Sequence, residues 1–188
     1  MFNILYRVLV WQNSNLCFDY TAKLEGLRNI EVKSKISAGR HFWLATYECY
    51  QKQCFSPKIV FKGSFSASDF CHIGATNYIE IGDNVLFGSK VYVTDHGHGI
   101  YSGNDVHSLP SEHPTERLLN HNKQVIIGDN VWIGDNVVIL PGVRIGNGCV
   151  IGSNAVVTKD IPDNCIAIGN PAVVIKTYDF NQKRWVKV

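Results

Sequence analysis

An all-β chain wound as a parallel β-helix is the fold the sequence predicts. Three observations carry it: a six-residue apolar repeat, turn-forming triplets between its rungs, and one long interruption. From Ile127 onward, aliphatic residues fall at every sixth position: Ile127, Ile133, Ile139, Ile145, Ile151 and Val157. A smaller residue follows four places after each of the first five, at Val131, Val137, Val143, Cys149 and Ala155. Between the two sets stand Gly128-Asp129-Asn130, Gly134-Asp135-Asn136, Gly146-Asn147-Gly148 and Gly152-Ser153-Asn154. An amphipathic helix repeats every ~3.6 residues and a half-buried strand every ~2. A period of six fits neither, but it fits a short strand followed by a turn. Gly and Asn tolerate the left-handed backbone such turns need. Three strand-turn units close one triangular coil of about 18 residues. Ile127 is therefore expected over Ile145, Ile133 over Ile151, and Ile139 over Val157.

The elements follow in chain order. Residues 1–29 hold no clear repeat and read as an N-terminal arm or short helix. Their longest apolar run, Val8-Leu9-Val10-Trp11, falls far short of the roughly 20 residues a membrane-spanning helix needs. Met1–Leu16 also lacks a small-residue cleavage site and makes a poor signal peptide. The arm could still touch a membrane surface peripherally. Residues 30–175 carry the β-helix, about five coils in all. Ile30 and Ile36 mark an irregular opening coil. Phe55, Phe61, Ala67 and Ile73 hold a loose repeat, with Phe65 and Cys71 as partners. Ile81, Phe87 and Val93 keep it, with Val85, Val91 and Gly82-Asp83-Asn84. An insert near Tyr47–Cys54 and a two-residue slip between Ile73 and Ile81 break the count. The rhythm stops at His96 and resumes at Val125. The loop 97–124 leaves directly after Thr94-Asp95-His96, and long loops in compact domains are usually functional. Residues 176–188 form a tail, expected to pack outside with Trp185 as anchor.

Composition narrows the function classes. The 188 residues are 45% hydrophobic and 18% charged, which suits one globular domain. A net charge of +2, with no basic stripe among aromatics, gives no reason to expect a nucleic-acid partner. The six cysteines form no Cys-x-x-Cys pair, and Cys49 and Cys54 stand alone as a near pair. They read as reduced thiols used as small hydrophobes, Cys71 and Cys149 at interior positions, and no metal is expected.

The segments Ile127-Gly-Asp-Asn-Val-Trp-Ile-Gly134, Leu140-Pro-Gly-Val143, Val157-Thr-Lys-Asp-Ile-Pro162 and Gly169-Asn-Pro-Ala172 resemble the hexapeptide-repeat acyltransferases. That family includes galactoside and maltose O-acetyltransferases and serine acetyltransferase. The resemblance covers about residues 59–176 and is tightest over 125–176. Asp95-His96-Gly97-His98-Gly99, Pro114-x-x-Arg117 and Tyr178-Asp-Phe180 point toward its members from bacterial surface-polysaccharide clusters. The resemblance implies a left-handed β-helix and a homotrimer with sites between subunits. It further implies direct O-acetyl transfer from acetyl-CoA to a hydroxyl of a sugar or polysaccharide precursor, in the cytoplasm, near the inner membrane face. His96 takes the place of the catalytic base, a task suited to a side chain that titrates near neutrality. Trp132 is expected to face outward and line the catalytic pocket. His98, Asp95 and Arg117 are candidates for acceptor binding; His98 could equally support His96 or stand exposed, and Arg117 could be a solvated loop charge. Gly134, Asp135, Gly152, Ser153, Thr158, Lys159 and Lys176 fall on the coenzyme pattern, although Gly152 and Ser153 would also serve as ordinary turn residues. The family often has a serine where Asp135 stands, and a carboxylate does not suit a developing oxyanion. Main-chain N–H groups are expected there instead. His72, His107, His113 and His121 read as surface or packing residues. Two rivals are a γ-type carbonic-anhydrase-like metal hydratase, which His96 and His98 would feed, and a non-catalytic binding module.

Overall fold

A computed structural model describes residues 15–103 and 107–188. Short strands pass in turn through three faces of a prism, and each face is a sheet running along the axis. The first face stacks Leu16–Phe18, Ile36–Ala38, Phe65–Ala67, Val85–Phe87, Trp132–Ile133, Val150–Ile151 and Cys165–Ile168. The second stacks Lys23–Glu25, Trp43–Thr46, His72–Ala75, Tyr92–Thr94, Val138–Ile139 and Val156–Val157. The third stacks Ile30–Val32, Lys58–Phe61, Tyr78–Ile81, Gln124–Ile127 and Arg144–Ile145, with Ile161 bridged to Ile145. Pairing between coils is parallel throughout, so each coil satisfies the backbone of the next.

Alternation along each strand decides what fills the prism. Phe87 is fully buried while its neighbour Leu86 faces out. The expected stacking holds in register: Ile127 lies opposite Ile145, Ile133 opposite Ile151, and Ile139 opposite Val157. The smaller partners Val131, Val137, Val143, Cys149 and Ala155 are buried at the corners. Four phenylalanines, Phe42, Phe61, Phe65 and Phe87, fill the wider early coils. Buried aromatic contacts such as Phe65 against Phe87, with centroids 5.0 Å apart, pack this part of the core.

The turns explain the Gly-Asp-Asn triplets. At the edge between the third and first faces, the Asp83 carboxylate accepts from the Ser64 N–H (2.6 Å), and Asp129 from Asp83 (2.8 Å). Asn147 continues the ladder by accepting from Asp129 (2.8 Å), and Asp163 by accepting from Asn147 (2.8 Å). Each such side chain lies over a glycine of the preceding coil. A Cβ at Gly82 would stand 2.3 Å from Asp129 Oδ1, and one at Gly146 2.2 Å from Asp163 Oδ1. The asparagines Asn84, Asn130, Asn136, Asn154 and Asn164 take the positive φ that turns the corner.

Three expectations need correction, and two others, the loop and the tail, gain detail. Among the described residues the chain makes six coils rather than about five. The first begins at Leu16, because Leu16–Phe18 and Lys23–Glu25 pair in parallel with the coil above. Residues 15–29 are therefore part of the β-helix; the arm or short helix can concern only residues 1–14, which lie outside the described residues. Phe55 is no interior rung but packs on His121 in the insert, with centroids 4.7 Å apart. Loop 97–124 is partly ordered by antiparallel pairing of Gly97–His98 with Leu119–Asn120. The tail is a hairpin, Val173–Asp179 with Arg184–Lys187, which extends the first face antiparallel to Cys165–Ile168. Trp185 packs on Tyr178 there, with centroids 5.3 Å apart.

Candidate active site

Every excursion from the prism leaves at the edge between the second and third faces. The 3-10 turn Leu27–Asn29, the hairpin Cys49–Tyr50 with Gln53–Cys54, and loop 97–124 all do so. So does the two-residue slip: Ile73 pairs with Val93 but Ile139 with Val157, and the longer early coil spends its extra residues at Thr76-Asn77.

Asp95 and His96 stand at this edge. Asp95 is fully buried, and its carboxylate accepts from Thr76 N (2.9 Å), Thr76 Oγ1 (3.2 Å) and Asn77 N (2.8 Å). His96 Nδ1 lies 2.9 Å from the same carboxylate and 3.1 Å from Thr94 Oγ1. A carboxylate at Nδ1 holds the ring proton there and leaves Nε2 with a free lone pair. Nε2 has no hydrogen bond among the described residues. Such an imidazole can take a proton from a hydroxyl brought within about 3 Å. Asp95 was expected to touch the acceptor; instead it is sealed from solvent and orients His96. Tyr47 stands edge-on to His96, with centroids 5.8 Å apart, and burial pushes its phenol up to about 12. His72, behind them, stacks on Trp43 at 4.1 Å, and its Nε2 is buried without a hydrogen bond. Burial, then the nearby His96 and Lys23, hold its pKa down to about 4.

The loop residues divide. His98 packs edge-on against Tyr50, with centroids 5.2 Å apart, and borders a hollow of about 260 Å3. Arg117 binds inside its own loop: Nε and Nη2 donate to the Glu112 carbonyl, Nη2 also to Pro110, and Nη1 to Tyr101 Oη. It braces the loop, and neither a free acceptor contact nor a solvated charge describes it. The hollow beside His98 shares Lys123, Pro141 and Thr158 with a groove of about 520 Å3 running on past Arg144 and Asp160. Thr158 thus meets the histidine loop along one edge, with Lys159 exposed next to it.

Other predicted residues stand apart from this edge. Trp132 is 54% exposed on the first face, across the prism from His96. Gly134, Asp135, Gly152 and Ser153 lie at the edge between the first and second faces. Stacking accounts for the two glycines there, since a Cβ at Gly134 would meet Ser153 N at 2.7 Å and one at Gly152 would meet Ile168 at 2.7 Å. Asp135 accepts from Ser89 N (2.6 Å), and Ser153 Oγ from Asp135 N (3.2 Å). Lys176 pairs with Ile166 and Lys187 in the tail hairpin. Sequence reasoning missed Tyr47, Gln53, Thr76, Asn77 and Lys123. The insert near Tyr47 and the slip before Ile81 were the signals that pointed to the first four.

A model described as bacterial transferase hexapeptide (six repeats) matches residues 124–159, and one described as hexapeptide repeat of succinyl-transferase matches residues 78–107. A putative lipopolysaccharide biosynthesis O-acetyl transferase of Escherichia coli is 42% identical over 129 residues, 69% of this chain and 65% of that protein. The chain thus spans slightly under two thirds of that relative. The structure of a maltose O-acetyltransferase from Clostridium difficile is 30% identical, with TM-score 0.51, over 92% of this chain and 74% of its own. An N-acyltransferase from Bacillus cereus, solved with dTDP and coenzyme A, shares the fold at TM-score 0.67 and 20% identity, over 89% of this chain and 83% of its own. By this agreement of repeat, sequence and fold, the chain belongs to the hexapeptide-repeat acetyltransferases, a family built on the left-handed parallel β-helix.

Proposed function

We propose that the protein transfers acetyl from acetyl-CoA directly to a hydroxyl of a sugar or polysaccharide precursor, with His96 as the general base. The observation that carries this is the buried Asp95 fixing His96 Nδ1, directly before Gly97 and His98, which border the hollow that reaches Thr158. Acetyl-CoA would supply the acetyl group as a thioester. His96 Nε2 takes the proton as the acceptor oxygen attacks the carbonyl, and returns it to the departing sulfur, so no net charge is left on the protein. A positioned base of this kind is worth about 10²–10⁴ in rate. Main-chain N–H groups meet the oxyanion, because Asp135 is a carboxylate already bonded to Ser89 N.

The donor fits the residues present. Lys123, Lys159 and Lys176 offer cations for phosphates, and Thr158 lines the groove. Gly134, Gly152 and Ser153 lie at one edge, Thr158 and His96 at another, and Trp132 on the face opposite His96. One coenzyme bound by all of them spans two chains. Outward residues support a ring of three: Leu86, Trp132, Val150 and Ile166 line up on the first face, and Trp43, His72, Tyr92, Val138 and Val156 on the second. The third face carries more charge, with Lys58–Glu31 at 2.8 Å and Lys62–Glu80 at 2.5 Å, whereas the ion pair of the second face, Lys23–Glu25 at 3.1 Å, lies on its first strand. Two unlike apolar faces meeting head to tail close a threefold ring. The cytoplasm, near the inner membrane face, is the setting this reading assigns. No helix among the described residues is long and apolar enough to cross a membrane.

The test is thiol release from acetyl-CoA across sugars, nucleotide sugars and lipid-linked oligosaccharides, with mass analysis of the product. Acetyl ester formation that disappears in a folded, trimeric His96→Ala variant is expected. Preference for a free amine would overturn the O-acetyl assignment, and an unimpaired variant would overturn the base.

A further inference from the structure

Two excursions that are far apart in sequence grip each other over His96. Tyr50 Oη donates to the Thr115 carbonyl (2.6 Å), and Gln51 Nε2 donates to the same oxygen. Gln53 clamps one residue from both sides: its Nε2 donates to the Leu119 carbonyl (3.1 Å), and its Oε1 accepts from Leu119 N (2.7 Å). Leu119, nearly fully buried, pairs with His98 across the short antiparallel ladder, two residues from the base. A chain of contacts therefore runs from Gln53 through Leu119 and His98 to the root of His96.

The same hairpin begins with Tyr47, whose backbone N–H donates to Ala75 O (2.9 Å). Its ring lies over bare Gly74, where a Cβ would stand 3.5 Å from Tyr47 Cε2, 3.3 Å from His72 Nε2 and 3.8 Å from His96 Cε1. The Tyr47 hydroxyl has no hydrogen bond among the described residues. A half-buried aromatic ring with a polar tip suits a pyranose, which offers an apolar C–H face and hydroxyls around its rim.

We propose that the Tyr47–Phe55 excursion selects the acceptor: Tyr47 contacts the sugar beside His96 Nε2, and Gln53 is a positioning residue that holds loop 97–124 where the contact is made. This rests on the acetyl-transfer reading above.

The experiment compares Tyr47→Phe, Tyr47→Ala, Gln53→Ala and Gln53→Glu with the unaltered chain. The probes are acetyl-CoA and a panel of methyl glycosides (galactoside, glucoside and N-acetylglucosaminide), with glycoside binding read by saturation-transfer NMR. Loss of one polar or aromatic contact corresponds to about a tenfold change. The acceptor KM should rise about tenfold in Tyr47→Ala and less in Tyr47→Phe, which keeps the ring. Gln53→Ala should raise it by several fold, and Gln53→Glu by less, because its carboxylate still accepts from Leu119 N. The KM for acetyl-CoA should stay within about twofold throughout, as expected when one substrate alone loses binding. If the glycosides react or bind normally in Tyr47→Ala and Gln53→Ala, the inference is overturned while acetyl transfer stands. If both KM values rise together, Gln53 is merely structural and the inference again fails. If the unaltered chain acetylates neither these glycosides nor the nucleotide sugars and lipid-linked oligosaccharides of the wider screen, the functional reading fails and takes this inference with it.

Discussion

Two edges of the prism are locked and the third is not. Between the third and first faces, Asp83, Asp129, Asn147 and Asp163 each cap a backbone N–H of the neighbouring coil, over glycines with no room for a side chain. Between the first and second faces, Asp69 and Asp135 do the same for Arg40 N and Ser89 N. Between the second and third faces, the chain instead releases a 3-10 turn, a hairpin and loop 97–124. Yet Asp95 uses the same device there, accepting the Thr76 and Asn77 N–H groups of the preceding coil. What differs is the kind of further donor: Asp69 takes the Arg40 guanidinium and Asp83 the Ser64 hydroxyl, whereas Asp95 takes His96 Nδ1. A structural rung becomes the support of a base when a histidine is placed beside it.

Four experiments break or sharpen this contrast. Asp95→Ala should do two kinds of damage at once. It strands buried N–H groups, at about 1–3 kcal/mol each, and frees the His96 ring to turn. Thermal melts should fall, and transfer should fall further than the stability loss accounts for; a melt that falls with activity intact would separate rung from base. Gly82→Ala, at a locked edge, puts a Cβ 2.3 Å from Asp129 Oδ1 and 2.6 Å from the Gly128 backbone. It should lower stability by about 1–3 kcal/mol in denaturant titration and leave the acceptor KM unchanged. Acid tests the packing behind the base. The unfolded chain takes up a proton on His72 near the ordinary histidine value of 6.5, but burial makes the folded chain refuse it until about 4. Stability from this residue is therefore full above 6.5 and drains as the pH falls toward 4. His72→Phe should flatten that part of the melting-temperature profile. The smallest effect belongs to Gly97→Ala, because a Cβ there meets nothing within 4 Å. Its stability should stay within about 0.5 kcal/mol by the same titration.

The contrast also explains what could be read in advance. Vertical partners such as Ile133 and Ile151 were legible because a locked turn keeps the six-residue count, and the count fixes the register. The first coil escaped for the opposite reason. Phe18 and Leu24 keep the spacing, as do Val32, Ala38 and Leu44, and they stack on Ala38, Leu44 and Phe61. The two extra residues spent between Leu24 and Val32 hide the continuity. His96 was marked by the break in rhythm. The inward turn of Asp95 and the bracing by Arg117 depend on partners 18 to 19 residues away or inside an aperiodic loop. No spacing announces them.

The open edge also bears on how such a chain changes over time. Sequence added at this corner leaves every stacked residue opposite its old partner, so length can vary without cost to the register of the core. Residues 47–57 and 97–124 are two such additions. Leu140-Pro141-Gly142 is the same corner one coil on, still short, and Pro141 and Gly142 already border the groove. A segment spliced there would project beside the donor path instead of over the base. The corner is a docking port for new specificity, on a frame whose other two corners hold the count.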